Sequence, residues 1–312
     1  MAEYRLLAQE EYPTAVNLWV EVFGVEAPFF ETLLEGGDHD DFSLAAFDGD
    51  KLVASVHVFM RWFRDQTGEP RKVGGIGSVS TLPEARAQGH SFKLLEMAIE
   101  EMETRDCVWS YLGTGVNDHY AKHGWRTLST PFMWGRLRHD LSEALEPPVT
   151  VDEDVLARMA GLHMSDSYTC PMANSRSAEM WKHAVRYRVT GDAQRVYLAH
   201  ADDKAAAYLV TGEWNNYPGL IEAANHTDCE HHLDQLIRSH LAEAVRNGAT
   251  IGRSMLPEHS VGTRAFMGCC SEVWSGEERA WMGRPIANRI TWPELAAIHA
   301  DPRGRRSELD HF

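Results

Sequence analysis

The sequence lacks any apolar run long enough to cross a membrane, since none approaches the ~20 residues that a spanning helix needs. Its first residues also lack a basic stretch followed by an apolar stretch, which is the pattern of a secretory signal. These two absences predict a cytoplasmic protein with no membrane partner.

Cysteine is scarce, at five residues in 312, and no two cysteines form a C-x-x-C pair. An odd number without that spacing argues against both a disulfide framework and a zinc ribbon. The five are Cys107, Cys170, Cys229, Cys269 and Cys270. We expect reduced thiols and no bound metal.

Basic charge is in deficit, with 30 lysines and arginines against 46 acidic residues and a net charge of −16. Such a chain repels nucleic acid and anionic membrane on average, and it favours cationic partners. Solubility alone also accounts for such a charge. The sequence leaves open whether the protein forms a homo-oligomer.

The composition that remains, 44% hydrophobic and 24% charged, is typical of globular proteins. At ~150 residues per domain, the length predicts two domains. The pair Pro147-Pro148 separates two periodic regions. We therefore predict domains at 1–145 and 150–290, followed by a C-terminal helix and tail at 291–312. The polar end of that tail, from residue 303 onward, is either frayed or tied down.

Hydrophobic periodicity predicts the same order of elements in both halves: strand, tight turn, strand, strand, helix, strand. In the first half these are a hairpin at 43–59, a strand at 73–81, a helix bearing Phe92, Leu95, Ile99 and Met102 on one face, and a strand at 108–112, all preceded by a helix at 11–23. In the second half they are strands at 195–201, 205–211 and 218–224, a helix at 228–247 capped by Asp228 and stopped by Gly248, and a strand at 250–256. We predict a mixed α/β fold of two units.

The turn from Arg86 to Ser91 joins a strand to the start of a helix and has the features of an anion site. The first turn of a helix has backbone N–H groups without intrahelical partners, and the helix dipole adds positive charge there. Gly89 lets a phosphate approach the backbone closely, Arg86 adds a fixed positive charge, and Ser91 adds a hydroxyl donor.

This turn resembles the Q/R-x-x-G-x-G/A motif of GNAT acetyltransferases, with Arg86, Gly89 and Ser91 at its three defining positions. Serine replaces the usual glycine or alanine at the last position and could crowd a pyrophosphate. The resemblance implies two mostly antiparallel sheets, each flanked by helices, and acetyl-CoA as co-substrate.

The resemblance also implies which residues contact acetyl-CoA. The backbone amides that hold the pyrophosphate belong to Ala87, Gln88, Gly89, His90 and Ser91. The strand end that pairs with the pantetheine arm consists of Val79, Ser80 and Thr81. An amide there would polarise the thioester carbonyl, as an oxyanion hole does.

A second match is Tyr120-Ala-Lys-His-Gly124-Trp125, which is similar to the Y-x-x-x-G-F of the same family. By resemblance, Tyr120 donates the proton to the departing CoA thiolate, a role that suits a phenol neutral at pH 7. The alternative is an aromatic that packs a helix against the sheet. Asn117 stands three residues before Tyr120, an interval that is longer in many relatives, and is assigned to the cofactor site.

The short glycine-rich connection and the tandem layout look like the "enhanced intracellular survival" branch of GNAT proteins, without its third domain. That branch implies a catalytic first unit and acceptors such as polyamine-like antibiotics. The second half has no R-x-x-G-x-G/A, and at the matching place it has the segment His226–His232. We interpret it as a degenerate unit that helps wall the substrate cleft.

Several assignments stay open at this stage. The general base is His57, Asp118, His119, a water chain or the terminal carboxylate of Phe312. The metal-capable residues match no standard zinc spacing, in 226–232 or in the pair His119 and His123. Four aromatic residues belong either to a substrate cleft or to the core: Trp214, Tyr217, Trp274 and Trp281.

The function predicted from these residues is acetyl transfer from acetyl-CoA to a primary amine of a small cationic acceptor, such as a polyamine or an aminoglycoside. The transfer would be direct, in a ternary complex, and no nucleic acid would take part. The alternative is a binding protein of GNAT origin that senses acyl-CoA or another small molecule without turnover.

Overall fold

The computed structural model describes residues 2–144, 146–191 and 193–310. No helix within these ranges is long and apolar enough to span a membrane. The strands are β1 (Glu3–Leu6), β2 (Phe42–Asp48), β3 (Lys51–Arg64), β4 (Pro70–Thr81), β5 (Trp109–Gly113), β6 (Arg126–Thr127), β7 (Thr130–Leu137), β8 (Arg195–Ala201), β9 (Lys204–Trp214), β10 (Tyr217–Asn225), β11 (Ile251–Ser254), β12 (Cys270–Glu278) and β13 (Trp281–Pro285).

The helices lie between these strands and cover the sheets. They are α1 (Tyr12–Phe23), α2 (Ala27–Glu35), α3 (His90–Thr104), α4 (Asn117–Ala121), α5 (Glu153–Ser167), α6 (Ala178–Met180), α7 (Arg186–Val189), α8 (Glu230–Arg246), α9 (Val261–Gly268) and α10 (Trp292–Ala300). A π-helical turn, Trp181–Val185, joins α6 to α7.

Two sheets organise the chain. The first has the order β1-β2-β3-β4-β5-β13-β6, and the second has the order β12-β7-β11-β10-β9-β8. Each sheet has one parallel pair, β4 with β5 in the first and β10 with β11 in the second, and the other neighbours are antiparallel. The predicted mixed α/β fold with two mostly antiparallel sheets flanked by helices is confirmed.

The two sheets exchange strands. β7 follows the first sheet in the chain but lies between β11 and β12 of the second sheet. β13 follows the second sheet but pairs with β5 and β6 of the first. The division at 1–145, 150–290 and 291–312 stays a prediction, and these pairings cross its first boundary in both directions.

α3 packs closely on β4 through a face that the sequence predicted only in part. Leu95 and Met102 are buried as expected, but Phe92 is 43% exposed and Leu94 is buried instead. Phe92 contacts the ring of His123, with centroids 4.1 Å apart. A Cβ at Gly74 would lie 2.2 Å from the sulfur of Met102, so only glycine permits this close packing.

α8 begins two residues later than predicted. Thr227–Cys229 forms a 3-10 turn, and the N-cap of α8 is Cys229, with no side-chain capping bond. The prediction that Asp228 caps the helix is therefore wrong. Gly248 has φ +92° and follows the last turn, as its predicted role as a stop requires.

The tail is tied down as far as residue 310. Arg305, Leu309 and Asp310 are buried. Asp310 Oδ1 accepts hydrogen bonds from Arg176 Nε at 2.7 Å and from Asn174 Nδ2 at 3.0 Å. The guanidinium of Arg176 in turn donates both of its terminal nitrogens to Glu222. A fully buried ionic network therefore anchors the end of the chain to the second sheet.

Asp41 gives the fold a pH dependence of unusual sign. Its buried carboxylate accepts a 2.6 Å hydrogen bond from the Met60 amide, yet burial raises its pKa to about 6 despite the nearby Arg61. A carboxyl whose pKa is higher in the folded protein than the unfolded value of about 3.9 binds its proton more tightly when folded. Its contribution to stability is therefore present at low pH and is lost as pH rises through the folded pKa.

We expect the stability of the wild type to fall relative to that of Asp41→Asn as pH rises. The difference between their free energies of unfolding should change by about 2–3 kcal/mol between about pH 4 and pH 7. Asparagine keeps the acceptor for Met60, and the unpaired Arg61 adds only a pH-independent cost. Urea unfolding across this range measures the difference. Asp40→Asn is the control, because Lys72 lowers the pKa of Asp40, so its contribution changes mainly below pH 4 and its difference from the wild type should stay nearly flat from pH 4 to pH 7. A flat difference for Asp41→Asn would contradict the expectation.

Candidate functional site

A groove opens where β4 and β5 diverge. The two strands pair only from Val73 with Trp109 to Gly75 with Tyr111, after which β5 continues beside β13. β4 contains one residue more than β3 between Gly77 and Ser80, and Ser78 has φ +47° in this bulge. A bulge bends a strand, so it accounts for the separation of β4 from β5.

The Arg86–Ser91 turn follows β4 on the side where β4 and β5 have separated, and it leads into α3. Two residues in the turn are left-handed, Ala87 with φ +61° and Gly89 with φ +82°. A left-handed alanine is strained, and such strain concentrates at binding and catalytic sites. A Cβ added to Gly89 would meet nothing within 4 Å, so the space in front of this residue is open.

The amides of the turn are available to a ligand. Within the described part of the chain, the N–H groups of Ala87, Gln88 and Gly89 make no hydrogen bond. The first intrahelical bond of α3 runs from the Lys93 amide to the Gly89 carbonyl. The three amides between Gly89 and Lys93 therefore also lack an intrahelical partner. Successive free amides around left-handed residues form an anion-binding concavity.

The side chains of the turn divide into two groups. Those of Arg86, Gln88 and, in part, Ser91 face solvent, and Arg86 Nε donates to the Thr81 carbonyl at 3.3 Å. His90 is buried, and its Nδ1 lies 2.9 Å from the hydroxyl of Tyr4 in β1. His90 therefore fixes the start of α3, and only its backbone amide is available to a phosphate.

At the end of β4, before the turn, backbone groups are more accessible to a ligand than side chains are. Ser80 is 2% exposed, and its hydroxyl bonds the Ser55 hydroxyl at 3.0 Å. Val79 and Thr81 are only partly buried. The predicted contacts of these three residues with the pantetheine arm stay a prediction.

Tyr120 lies in α4, close to the end of β5. Its side chain is buried beside the rings of His119 and Trp125. Burial raises the pKa of Tyr120 to about 12, against the opposing effect of a hydrogen bond with the Thr114 side chain. Thr114 follows β5 directly, so the phenol lies at the open end of the groove and stays protonated at neutral pH.

Asn117, at the start of α4, links the segment that leads into β13 to this site. Its amide nitrogen donates to the Thr127 hydroxyl at 2.8 Å and to the Arg279 carbonyl at 3.0 Å. The side-chain nitrogen is thereby engaged with protein groups. The assignment of Asn117 to the cofactor site stays a prediction.

The candidate bases differ in access. His57 is fully buried, and burial lowers its pKa to about 3, so it cannot reach a substrate in the groove. Burial also lowers the pKa of His119, which is only partly covered and lies next to Tyr120. Asp118 is exposed, and the carboxylate of Phe312 lies outside the described residues. His119 is the candidate that is partly exposed and in ring contact with Tyr120.

A cavity of about 380 Å³ lies between residues of the second sheet and Trp281 of β13, a strand of the first sheet; we call it the inter-sheet cavity. Its walls include Trp214, Glu278, Ala280, Trp281 and Leu309. The segment from Glu278 to Trp281 connects it to the groove, because the Ala280 carbonyl accepts a 2.8 Å bond from the Thr114 amide. Sequence reasoning missed this junction, since it depends on the strand exchange.

The sequence assigns four aromatic residues either to the core or to a substrate cleft, and in the structure they fall into two groups. Trp281 is buried and stacks on Tyr111, with ring centroids 4.7 Å apart and planes 10° apart. Trp214, Tyr217 and Trp274 are each about two-fifths exposed. Trp214 and Trp281 line the inter-sheet cavity. Among the described residues, the histidines and Cys229 of 226–232 do not converge into a metal-binding group.

Residues 3–128 match the family model of an acetyltransferase (GNAT) domain. The first part of the chain is therefore similar to acetyltransferase domains of this family. No curated protein matches the chain.

Solved structures with similar folds cover most of the chain. A probable N-acyltransferase from Enterococcus faecalis has a TM-score of 0.71 at 13% identity, over 92% of this chain and 73% of the other. A GCN5-related N-acetyltransferase from Anabaena variabilis has 0.65 at 16%, over 91% and 73%. Eis1 from Mycobacterium abscessus has 0.62 at 13%, also over 91% and 73%. At these identities the likeness establishes the two-sheet fold.

Proposed function

We propose that the protein transfers an acetyl group from acetyl-CoA to a primary amine of a small cationic acceptor, in a ternary complex. The observation that carries the proposal is the Arg86–Ser91 turn with its free amides, at the open end of diverging strands in an acetyltransferase domain. The CoA pyrophosphate would bind this turn, and the pantetheine arm would lie along Val79–Thr81.

The chemistry requires two proton movements. The free amine nitrogen attacks the thioester carbonyl, a carbon–nitrogen bond forms, and the carbon–sulfur bond breaks. Tyr120, protonated across the neutral range, would give its proton to the leaving thiolate. His119 would take the proton that the amine loses, because its position is suitable and burial keeps its imidazole neutral.

The inter-sheet cavity is the proposed acceptor site. Ala280 lines this cavity, and its carbonyl accepts a hydrogen bond from the Thr114 amide at the end of β5, so an amine bound there would lie toward Tyr120. Glu278 supplies a carboxylate for a cationic group, and the indoles of Trp214 and Trp281 supply apolar and cation–π contacts. Arg188 also lines the cavity, so the acceptor would present its charge toward Glu278 and its neutral part toward Arg188.

We expect Glu278→Gln to lower kcat/KM for the best cationic amine by roughly fivefold, in line with a single charge-assisted contact of about 1 kcal/mol. The wild-type kcat/KM should also fall as salt rises, because salt screens the attraction. Glu277→Gln is the matched control, since Glu277 is an exposed neighbour on the same strand and does not line the cavity. Equal losses in both variants, or a preference for amino acids over polyamines, would remove the cationic acceptor from the proposal.

A non-catalytic acyl-CoA sensor is the rival function, and it is favoured by His119, because burial lowers the pKa of this imidazole and makes it a weaker base. Release of CoA, followed with a thiol reagent across a panel of polyamines, aminoglycosides and amino acids, separates the two. Turnover with any amine supports the enzyme. Tight binding of acetyl-CoA without release above the rate of hydrolysis would establish the sensor.

A further inference from the structure

The second sheet repeats the arrangement that forms the groove of the first. In the first half, the antiparallel strands β2, β3 and β4 are followed by α3, by β5 parallel to β4, and by α4. In the second half, the antiparallel strands β8, β9 and β10 are followed by α8, by β11 parallel to β10, and by α9.

The divergence of the parallel strands is repeated as well. β10 contains one residue more than β9, Ile221, where β4 contains one more than β3. β10 pairs with β11 only at Gly219 and Leu220 and then continues to Asn225 without it. The second sheet therefore opens at the place where the first sheet has its candidate groove.

A cavity of about 470 Å³ lies at this second opening, and we call it the second-sheet cavity. It is bordered by the end of β10, the residues after β11, and the first turns of α8 and α9. No side chain caps the N-terminus of α8. The first amides of this 17-residue helix thus lack intrahelical and side-chain partners on the cavity side.

The lining of the second-sheet cavity is rich in arginine, although the chain as a whole is strongly negative. Three guanidinium groups line it, those of Arg264, Arg303 and Arg305, against the carboxylates of Asp166 and Glu230. Its remaining wall is partly apolar, with Leu233, Leu256 and Val261. Each guanidinium group has a carboxylate partner: Arg264 pairs with Glu230, Arg303 with Asp301 and Arg305 with Asp166.

Arg305 adds an observation that points to a ligand. It is 4% exposed, and its terminal nitrogens donate to Asp166 and to the Ala223 carbonyl. Its Nε is buried and, among the residues that the structure describes, has no hydrogen-bond partner. A buried guanidinium N–H without an acceptor is costly, and an anion in the adjoining cavity is a group that would lower this cost.

We propose that the second-sheet cavity binds a small organic anion, which is distinct from acetyl-CoA and from the amine acceptor. Its phosphate or carboxylate would lie near the N-terminus of α8 and Arg264, and its apolar part would contact Leu233 and Val261. The site does not suit the CoA pyrophosphate, because Thr227–Cys229 is a 3-10 turn without the left-handed glycine of the first groove.

Ligand-observed NMR titration of the full chain tests this proposal with three probes that share a phenyl ring: phenyl phosphate, benzoate and uncharged benzamide. We expect an anion to bind and benzamide not to bind, and the tighter anion identifies the preferred group. Arg264→Glu should weaken that binding about fivefold or more, as loss and reversal of one exposed charge predicts. Arg264 is 60% exposed, so the substitution leaves the core intact.

Arg136→Glu is the matched control. Arg136 is 56% exposed and pairs with Glu272 at 3.4 Å, much as Arg264 pairs with Glu230 at 3.5 Å, but it lies on β7 away from the cavity. The affinity of Arg136→Glu for the anion should equal that of the wild type. In the wild type, saturating acetyl-CoA should not displace the anion. Equal binding of benzamide, an unchanged affinity in Arg264→Glu, displacement by acetyl-CoA, or no anion binding would each overturn the proposal. None of these results depends on whether the first groove is catalytic.

Discussion

Replacement of Tyr120 by phenylalanine is expected to lower kcat by ~10²-fold or more while the KM for acetyl-CoA changes little, because general acids contribute about this much. The phenyl ring keeps the contacts with His119 and Trp125, so the fold is preserved. Only the proton donor at the end of β5 is removed. Steady-state kinetics measures both constants, with the best amine acceptor held at saturation and acetyl-CoA varied.

The pH profile adds a second readout for Tyr120. Because its pKa is raised to about 12, the wild type should show no loss of kcat from tyrosine ionisation at any pH below about 10. Tyr197→Phe is the matched control, since Tyr197 is a buried tyrosine of the second sheet whose hydroxyl lies 3.3 Å from His240 Nδ1. If Tyr120→Phe retains as much activity as Tyr197→Phe, Tyr120 is a packing residue.

Local patterns in the sequence predict the elements around the site well, because short-range chemistry determines them. The Asp-Gly turn predicts the β2–β3 hairpin, and alternating apolar residues predict β8 and β9 to within a few residues. The sequence predicts that Gly89 lets a phosphate approach the backbone closely, and in the structure this residue is left-handed with open space in front of it.

The strand exchange could not be predicted from the same patterns. Nothing in the residues of β7 and β13 says which sheet they complete, because pairing partners are set by tertiary contacts far apart in the chain. Trp281 shows the consequence. Its position in the second half of the sequence gives no sign that it stacks on Tyr111 of the first sheet, at the junction of the groove and the inter-sheet cavity.

Charge was a less reliable guide than turn geometry. The net charge of −16 favours cationic partners, whereas the inter-sheet cavity is lined by one carboxylate, Glu278, and one guanidinium, Arg188. The second-sheet cavity has more guanidinium groups than carboxylates. Net charge averages over the whole surface, so it does not give the sign of the charge in one cavity.

Replacement of Gly89 by aspartate is expected to weaken acetyl-CoA binding by roughly 30-fold. At φ +82° the residue is in the left-handed region, where aspartate and asparagine are the side chains best tolerated. An added Cβ meets no atom within 4 Å, so the turn keeps its conformation and the new carboxylate faces the open groove. Beside a diphosphate with two charges, one carboxylate about 4 Å away costs about 2 kcal/mol even at the dielectric constant of water.

Gly89→Asn separates this charge effect from any change in the backbone. Asparagine has the shape of aspartate and the same tolerance of the left-handed region, so its affinity for acetyl-CoA should stay within about threefold of the wild type. Isothermal titration calorimetry at two salt concentrations measures both variants, and higher salt should narrow the gap between them, because screening weakens the repulsion. If both variants are folded and bind acetyl-CoA as tightly as the wild type, the pyrophosphate lies away from the Arg86–Ser91 turn. A loss of the same size in both variants would mean that the turn needs glycine for its backbone alone.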